Sequence, residues 1–241
     1  MDEPTQSAGH RLTRQEISTA VTGLGWPLIL GALQAYVLVT SLTEAARVVT
    51  AVASETGAAA DQSLRADVRG DRVVLTLQSA ATGRVTIREI DLARRISALV
   101  TSLGLATSAD DATAGPAPGV RTVQGLEIGI DALDIPAVRP FWRAVLGYVD
   151  EPGQDGPPNG LVDPVGQGPA IWFQQMDAPR PQRNRIHFDV SVPHDEAADR
   201  IAAALAAGGR LTYEAEAPAF WVLADPEGNE ACVCTWPGRD G

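Results

Sequence analysis

The chain has 241 residues, 45% hydrophobic and 20% charged, enough for one large domain or two of ordinary size. Its formal charge is −11, and the imbalance is local: residues 1–105 set 10 Arg against 10 acidic residues, the remainder 9 against 20. So acidic a second half repels phosphate backbones and argues against nucleic acid as a partner. All 19 basic residues are Arg, which removes lysine Schiff-base, lysine general-base and P-loop chemistry from consideration.

Met1 to His10 is polar and acidic, without the charged start and apolar centre of an export signal. Thr13 followed by Glu16 is a capping-box pattern, so a helix is expected there, closing around Gly23 to Gly25. The most apolar stretch, Trp26 to Val39, is too short to span a membrane and is interrupted by Pro27, Gly31 and Gln34. It reads as strands at 27–31 and 34–39. Residues 42–56 form a helix with an expected core face of Leu42, Ala45, Ala46, Val49, Val52 and Ala53. Strands follow at 64–68 and 73–78. Thr86 with Glu89 then opens a last helix whose buried stripe is Ile90, Ala93, Ile96 and Val100.

Specific residues in this half carry a resemblance. LTRQEI followed by GLGW, the Ser54–Glu55 end of the second helix, and GRVTIREIDLARRI resemble pterin-4a-carbinolamine dehydratase over residues 11–105. The resemblance implies an α-β-β-α-β-β-α domain. It also places the family's catalytic His-His-Pro on Ala59, Ala60 and Asp61, and its Thr-His on about Ser79 and Ala80. Dehydration of a carbinolamine needs a group that exchanges protons near neutral pH, and alanine cannot. A non-catalytic scaffold, not an active pterin dehydratase, is therefore expected.

Residues 106–121, rich in Ala, Gly, Pro, Ser and Asp without apolar periodicity, read as a linker. Beyond it a strand followed by an amphipathic helix occurs twice, at 123–146 and 184–207, which suggests an internally duplicated fold over 122–237. Phe141 is expected in the core, His194 as a helix cap beside Asp195, and Asp225-Pro226-Glu227-Gly228-Asn229 as a structural turn. Cys232 and Cys234 point to the same face of the last strand, a spacing poorly suited to a disulfide. A reducing, cytoplasmic setting is expected.

The strand, Asp and Phe-Trp helix of GLEIGIDALDIPAVRPFWRAVLG, then RIHFDV, then DPEGNE resemble the vicinal-oxygen-chelate superfamily in its glyoxalase and bleomycin-resistance branch. The resemblance implies two βαβββ modules, an α+β chain overall, and a divalent metal held by one side chain from each of four strands. Those positions fall on Glu127, about Gln174, His187 and Cys232, where only His187 is of the usual type. Strand alternation puts His187, Asp189 and Ser191 on one side and Ile186, Phe188 and Val190 on the other.

The expectation is a single cavity with His187, Glu127 and Asp189 as catalytic groups and Trp172, Gln174, Trp221 and Cys232 as ligand contacts. No cofactor and no tightly held metal are expected, since carboxylate and thiolate in that set prefer different ions. The expected ligand is a small organic molecule, either bound or turned over by a metal-independent glyoxalase-like module, whose enzymatic form would be a lyase or isomerase. Drug sequestration without chemistry, and a metal-dependent isomerase, lyase or dioxygenase, remain open as alternatives. A homo-oligomer is expected, most simply a dimer, with no nucleic-acid or membrane partner.

Overall fold

The computed structural model describes residues 11–109, 123–153, 160–179 and 186–238. The chain is α+β and divides into two compact units, residues 1–125 and 126–241. No helix among the described residues is long and apolar enough to cross a membrane.

The first unit runs α1 (Arg14–Ala20), β1 (Leu28–Ile29), β2 (Ala32–Leu38), α2 (Leu42–Thr56), β3 (Leu64–Val68), β4 (Arg72–Leu77), α3 (Ile87–Ser102) and β5 (Thr107–Ser108). Its antiparallel sheet has the order β1-β2-β4-β3, with β5 also on β2. Both expected capping boxes form: the side chains of Glu16 and Glu89 accept the backbone N–H of Thr13 and Thr86. The stripe of α3 is buried as expected. That of α2 is rotated, with Ala45, Val48, Val52 and Thr56 buried while Leu42, Ala46 and Ala53 are exposed. Alanine marks a helical face weakly, so two stripes competed in the sequence and packing selected the one centred on Val48.

The expected linker is corrected at its start. Thr107–Ser108 pair with Val37 and Tyr36, and Thr107 Oγ1 donates to the Leu24 carbonyl at 2.7 Å. Gly25 is required there: its φ is +75°, and a Cβ would lie 2.3 Å from the Thr107 oxygen. Residues 110–121 of that segment lie outside the described residues.

The second unit contains β6 (Glu127–Ala132), α4 (Ile135–Leu146), β7 (Val149–Asp150), β8 (Gly160–Val162) and β9 (Ala170–Gln175). It then repeats the pattern with β10 (Phe188–Ser191), α5 (Ala197–Ala206), β11 (Arg210–Tyr213), β12 (Phe220–Ala224) and β13 (Glu230–Cys234). The sheets have orders β6-β9-β8-β7 and β10-β13-β12-β11, so in each module the first strand runs parallel beside the fourth.

One core joins both modules, including Ile130, Phe141, Trp142, Ile171, Phe173, Leu223 and Val233. Asp134 caps α4 by accepting the Ala137 N–H, and Gly147 ends it in the left-handed region at φ +69°. The Asp225 turn has a second task besides reversing the chain. Its fully buried carboxylate accepts N–H bonds from Glu227, Asn229 and the Trp142 indole, while Glu227 accepts those of Leu133 and Asp134. The turn thus anchors the start and middle of α4 onto the second module.

Candidate functional site

On the second sheet the outward positions of β10, β13 and β12 fall into register. Asp189 lies opposite Cys232, and Cys232 opposite Val222. Strand alternation therefore gathers His187, Asp189, Cys232, Cys234, Phe220 and Val222 along one groove of about 540 Å3, with Glu216 and Glu230 at its sides.

His187 Nε2 lies 3.4 Å from Asp189 Oδ1, both side chains being more than half exposed. Cys232 is 7% exposed, and its thiol hydrogen-bonds to the Asp189 carboxylate. Burial, then that hydrogen bond and the nearby negative charge, push the thiol up to about 12. It is protonated at neutral pH and acts as a donor to Asp189, not as a nucleophile. The groove combines an imidazole that can exchange protons, a carboxylate that orients it, and an apolar wall.

The expected single cavity is not assembled. Glu127, Trp172 and Gln174 belong to the first sheet, and none of them lines the groove. Even among themselves they are separated: Glu127 is opposite Ala170, while Gln174 is opposite Asp131. Four residues of parallel strand span about 13 Å. The set of one donor from each of four strands therefore does not fit a common ion. Trp172 is 41% exposed and lies across Gly129, where a Cβ would meet its ring at 3.0 Å.

Trp221 is also corrected. With Val222 turned to the groove, pleating sends Trp221 to the opposite side, against the core. His194 is not a cap: Glu196 occupies the N-cap of α5 without a side-chain bond, and His194 Nδ1 accepts the Trp236 indole N–H at 3.4 Å. Phe141 is in the core as expected, and so is Trp142.

Sequence reasoning missed Glu216, Phe220, Val222 and Glu230. Alternation outward from Cys232 could have found Glu230. Phe220 and Val222 required the register of β12, and Glu216 the path of the loop before it. A further groove, of about 600 Å3, is lined by Ile128, Ile130, Trp142, Ile186, Phe188 and Asp131, among others, and its described lining holds neither imidazole nor thiol.

Residues 127–234 match the family model described as a glyoxalase-like domain. None of the curated proteins compared with the chain matches it. Among solved structures, a glyoxalase-related enzyme from Fulvimarina pelagi is 20% identical, with 48% of this chain and 89% of that one covered and a TM-score of 0.36. A glyoxalase/bleomycin resistance protein/dioxygenase family enzyme from Burkholderia phytofirmans is 21% identical, covering 45% and 95%, with a TM-score of 0.36. A transcriptional coactivator/pterin dehydratase from Brucella melitensis is 24% identical, covering 37% and 98%, with a TM-score of 0.34. Residues 127–234 are thus similar to a glyoxalase-like domain.

Proposed function

We propose that the glyoxalase-like domain binds a small organic molecule in the groove over β10, β13 and β12, and that His187 transfers a proton to or from it without help from a metal. The observation that carries this reading is the convergence of His187, Asp189 and Cys232 beside the apolar wall of Phe220 and Val222. Asp189, bonded to the buried thiol on one side and close to the imidazole on the other, positions the His187 ring. Three carboxylates, Asp189, Glu216 and Glu230, border the groove. They favour a neutral or cationic ligand over an anionic one. Lyase or isomerase chemistry fits a lone proton-transfer group. Sequestration has its own support in Trp172, which offers an exposed ring face for stacking on the first sheet.

The first domain is proposed to be a scaffold, because Ala59, Ala60, Asp61, Ser79 and Ala80 supply no imidazole. The whole is proposed to act as a homodimer in the cytoplasm. Screening small molecules by thermal shift against the parent, His187→Ala and Glu127→Gln tests the reading. Hits that stabilise the parent and Glu127→Gln but not His187→Ala support it. Hits indifferent to His187 overturn it. A carbinolamine dehydratase assay should show no turnover above the uncatalysed rate.

A further inference from the structure

We propose that the cavity between the edges of β6 and β10 binds a small amphiphilic organic cation, an aryl-alkyl amine in its protonated form, separately from the His187 groove. Each of these strands is the end strand of its own sheet, so no hydrogen-bond ladder closes the space between them. The cavity measures about 600 Å3, within the range of about 300–1,000 Å3 usual for small-molecule sites. Along β10 and just before it the walls are Phe188 and Ile186, which alternate with His187 and Asp189 and so point to the other side of the chain. One strand thus divides two cavities, an apolar one and one with an imidazole.

The floor selects an aromatic or alkyl body. Trp142 and Phe188 meet edge to face with ring centroids 5.4 Å apart, and Ile130 lies beside them in the lining. The Trp142 indole N–H is already bonded to Asp225, so this side chain offers the cavity only ring carbon. A ligand ring set against that corner adds a further edge-to-face contact. Ile186 is 78% exposed at the rim, and an apolar ligand body removes part of that surface from water.

The polar part of the lining has one sign. Its charged residues are Asp131, Glu227 and Glu230, with no basic residue among the described lining. Glu227 is committed to the N–H groups of Leu133 and Asp134. Asp131 makes no hydrogen bond or ion pair with another described residue. A carboxylate with open acceptor positions at the rim of an apolar cavity favours an ammonium group over a hydroxyl, and repels a second carboxylate.

The test is calorimetric titration of the full-length protein with three probes of one skeleton, phenylbutylamine, phenylbutanol and phenylbutanoate. One amine per chain is expected to bind, at least about fivefold more tightly than the alcohol. That ratio should fall as salt is raised, and the carboxylate should bind weakest. Ile186→Ser, at an exposed position, should weaken amine and alcohol alike by about three- to tenfold. Asp131→Asn, also exposed, should leave the alcohol unchanged and reduce the advantage of the amine to about twofold or less. His187→Ala should bind the amine as the parent does, because His187 lines the groove and not this cavity.

No saturable amine binding, or equal affinity for amine and alcohol, would overturn the site. So would a preference for the carboxylate, the result expected if Arg180, Arg183 or Arg185 supplied the charge, and so would amine binding lost in His187→Ala but kept in Ile186→Ser. The cavity does not depend on the proton-transfer reading of the groove. Repeating the small-molecule screen with the cavity saturated by phenylbutylamine separates the two: a hit indifferent to His187 that saturation abolishes belongs to the cavity, and one that persists counts against the groove.

Discussion

The two modules of the second unit have the same strand order and the same helix position, yet corresponding faces carry different chemistry. Between first and fourth strands, one sheet places Gly129 beside Trp172 and the other Asp189 beside Cys232. The inward positions are interchangeable in kind: Ile130, Ile171 and Phe173 in one module, Phe188, Ala231 and Val233 in the other. Duplication is therefore preserved where side chains pack, and it has lapsed where they face outward. The inward set holds the fold, and the outward set is free to specialise. Substitutions at inward anchors should cost stability, whereas substitutions on the outward faces should cost binding.

The largest effect is expected at Asp225. Its buried carboxylate accepts the Trp142 indole N–H at 3.0 Å and the N–H groups of Glu227 and Asn229 at 2.9 Å each. Asp225→Ala leaves these donors without their acceptor and detaches α4 from the second module, a cost of about 3–5 kcal/mol. Denaturant unfolding should show the loss in the transition of this domain. A change below about 1 kcal/mol would mean that the two modules do not depend on this turn.

A comparable buried anchor exists in the first unit, and it responds to pH. Glu89 is buried; burial alone would raise its pKa, but bonds from Ser63 and from the side chain and backbone of Thr86 outweigh it and hold the carboxyl below its ordinary value. A carboxylate depressed in the folded state contributes stability that is fully present above its unfolded pKa of about 4.3 and is lost as pH falls through the folded value. Glu89→Ala should therefore destabilise the chain by about 2–3 kcal/mol at neutral pH. The gap from the parent should narrow below about pH 4. A gap that widens with acid would reverse the sign of the argument.

Most of the fold could be read from the sequence because its signals are local. Thr13 with Glu16 and Thr86 with Glu89 announce helix starts, and Asp134 with Gly147 frames α4. Where a residue type is ambiguous, legibility ends: the alanine-rich α2 offered two faces, and only packing against Val48 and Val52 chose between them. The site was legible along single strands and illegible between them. His187 with Asp189, and Cys232 with Cys234, follow from alternation. That Asp189 lies opposite Cys232, while Glu127 faces Ala170 and stands four residues from the rung of Gln174, depends on register. Register is set by many weak contacts across the whole sheet. For the same reason Trp221 was assigned to the wrong side, its parity being fixed only by the pairing of Val222 with Cys232.

The smallest stability effects, and the sharpest contrast between modules, are expected on the outward faces themselves. Trp172 is 41% exposed and rests on Gly129, so Trp172→Ala gives up part of one aromatic contact and should cost about 1 kcal/mol. The His187 side chain is 54% exposed, with Asp189 at 3.4 Å as its charged neighbour. His187→Ala should leave stability within about 0.5 kcal/mol of the parent. Binding should rank them the other way. If the groove beside Cys232 is where an organic molecule sits, His187→Ala loses affinity while Trp172→Ala retains it, and the two variants separate on a plot of affinity against stability. If the molecule instead stacks on the first sheet, Trp172→Ala loses affinity and His187→Ala keeps it. Equal losses in both would mean that the faces act on one ligand together, which a single module cannot achieve with Glu127, Trp172 and Gln174 absent from the groove lining. That outcome would point to a second copy of the chain bringing its first sheet over the His187 groove of its partner, and equilibrium sedimentation of ligand-bound protein would then show a dimer.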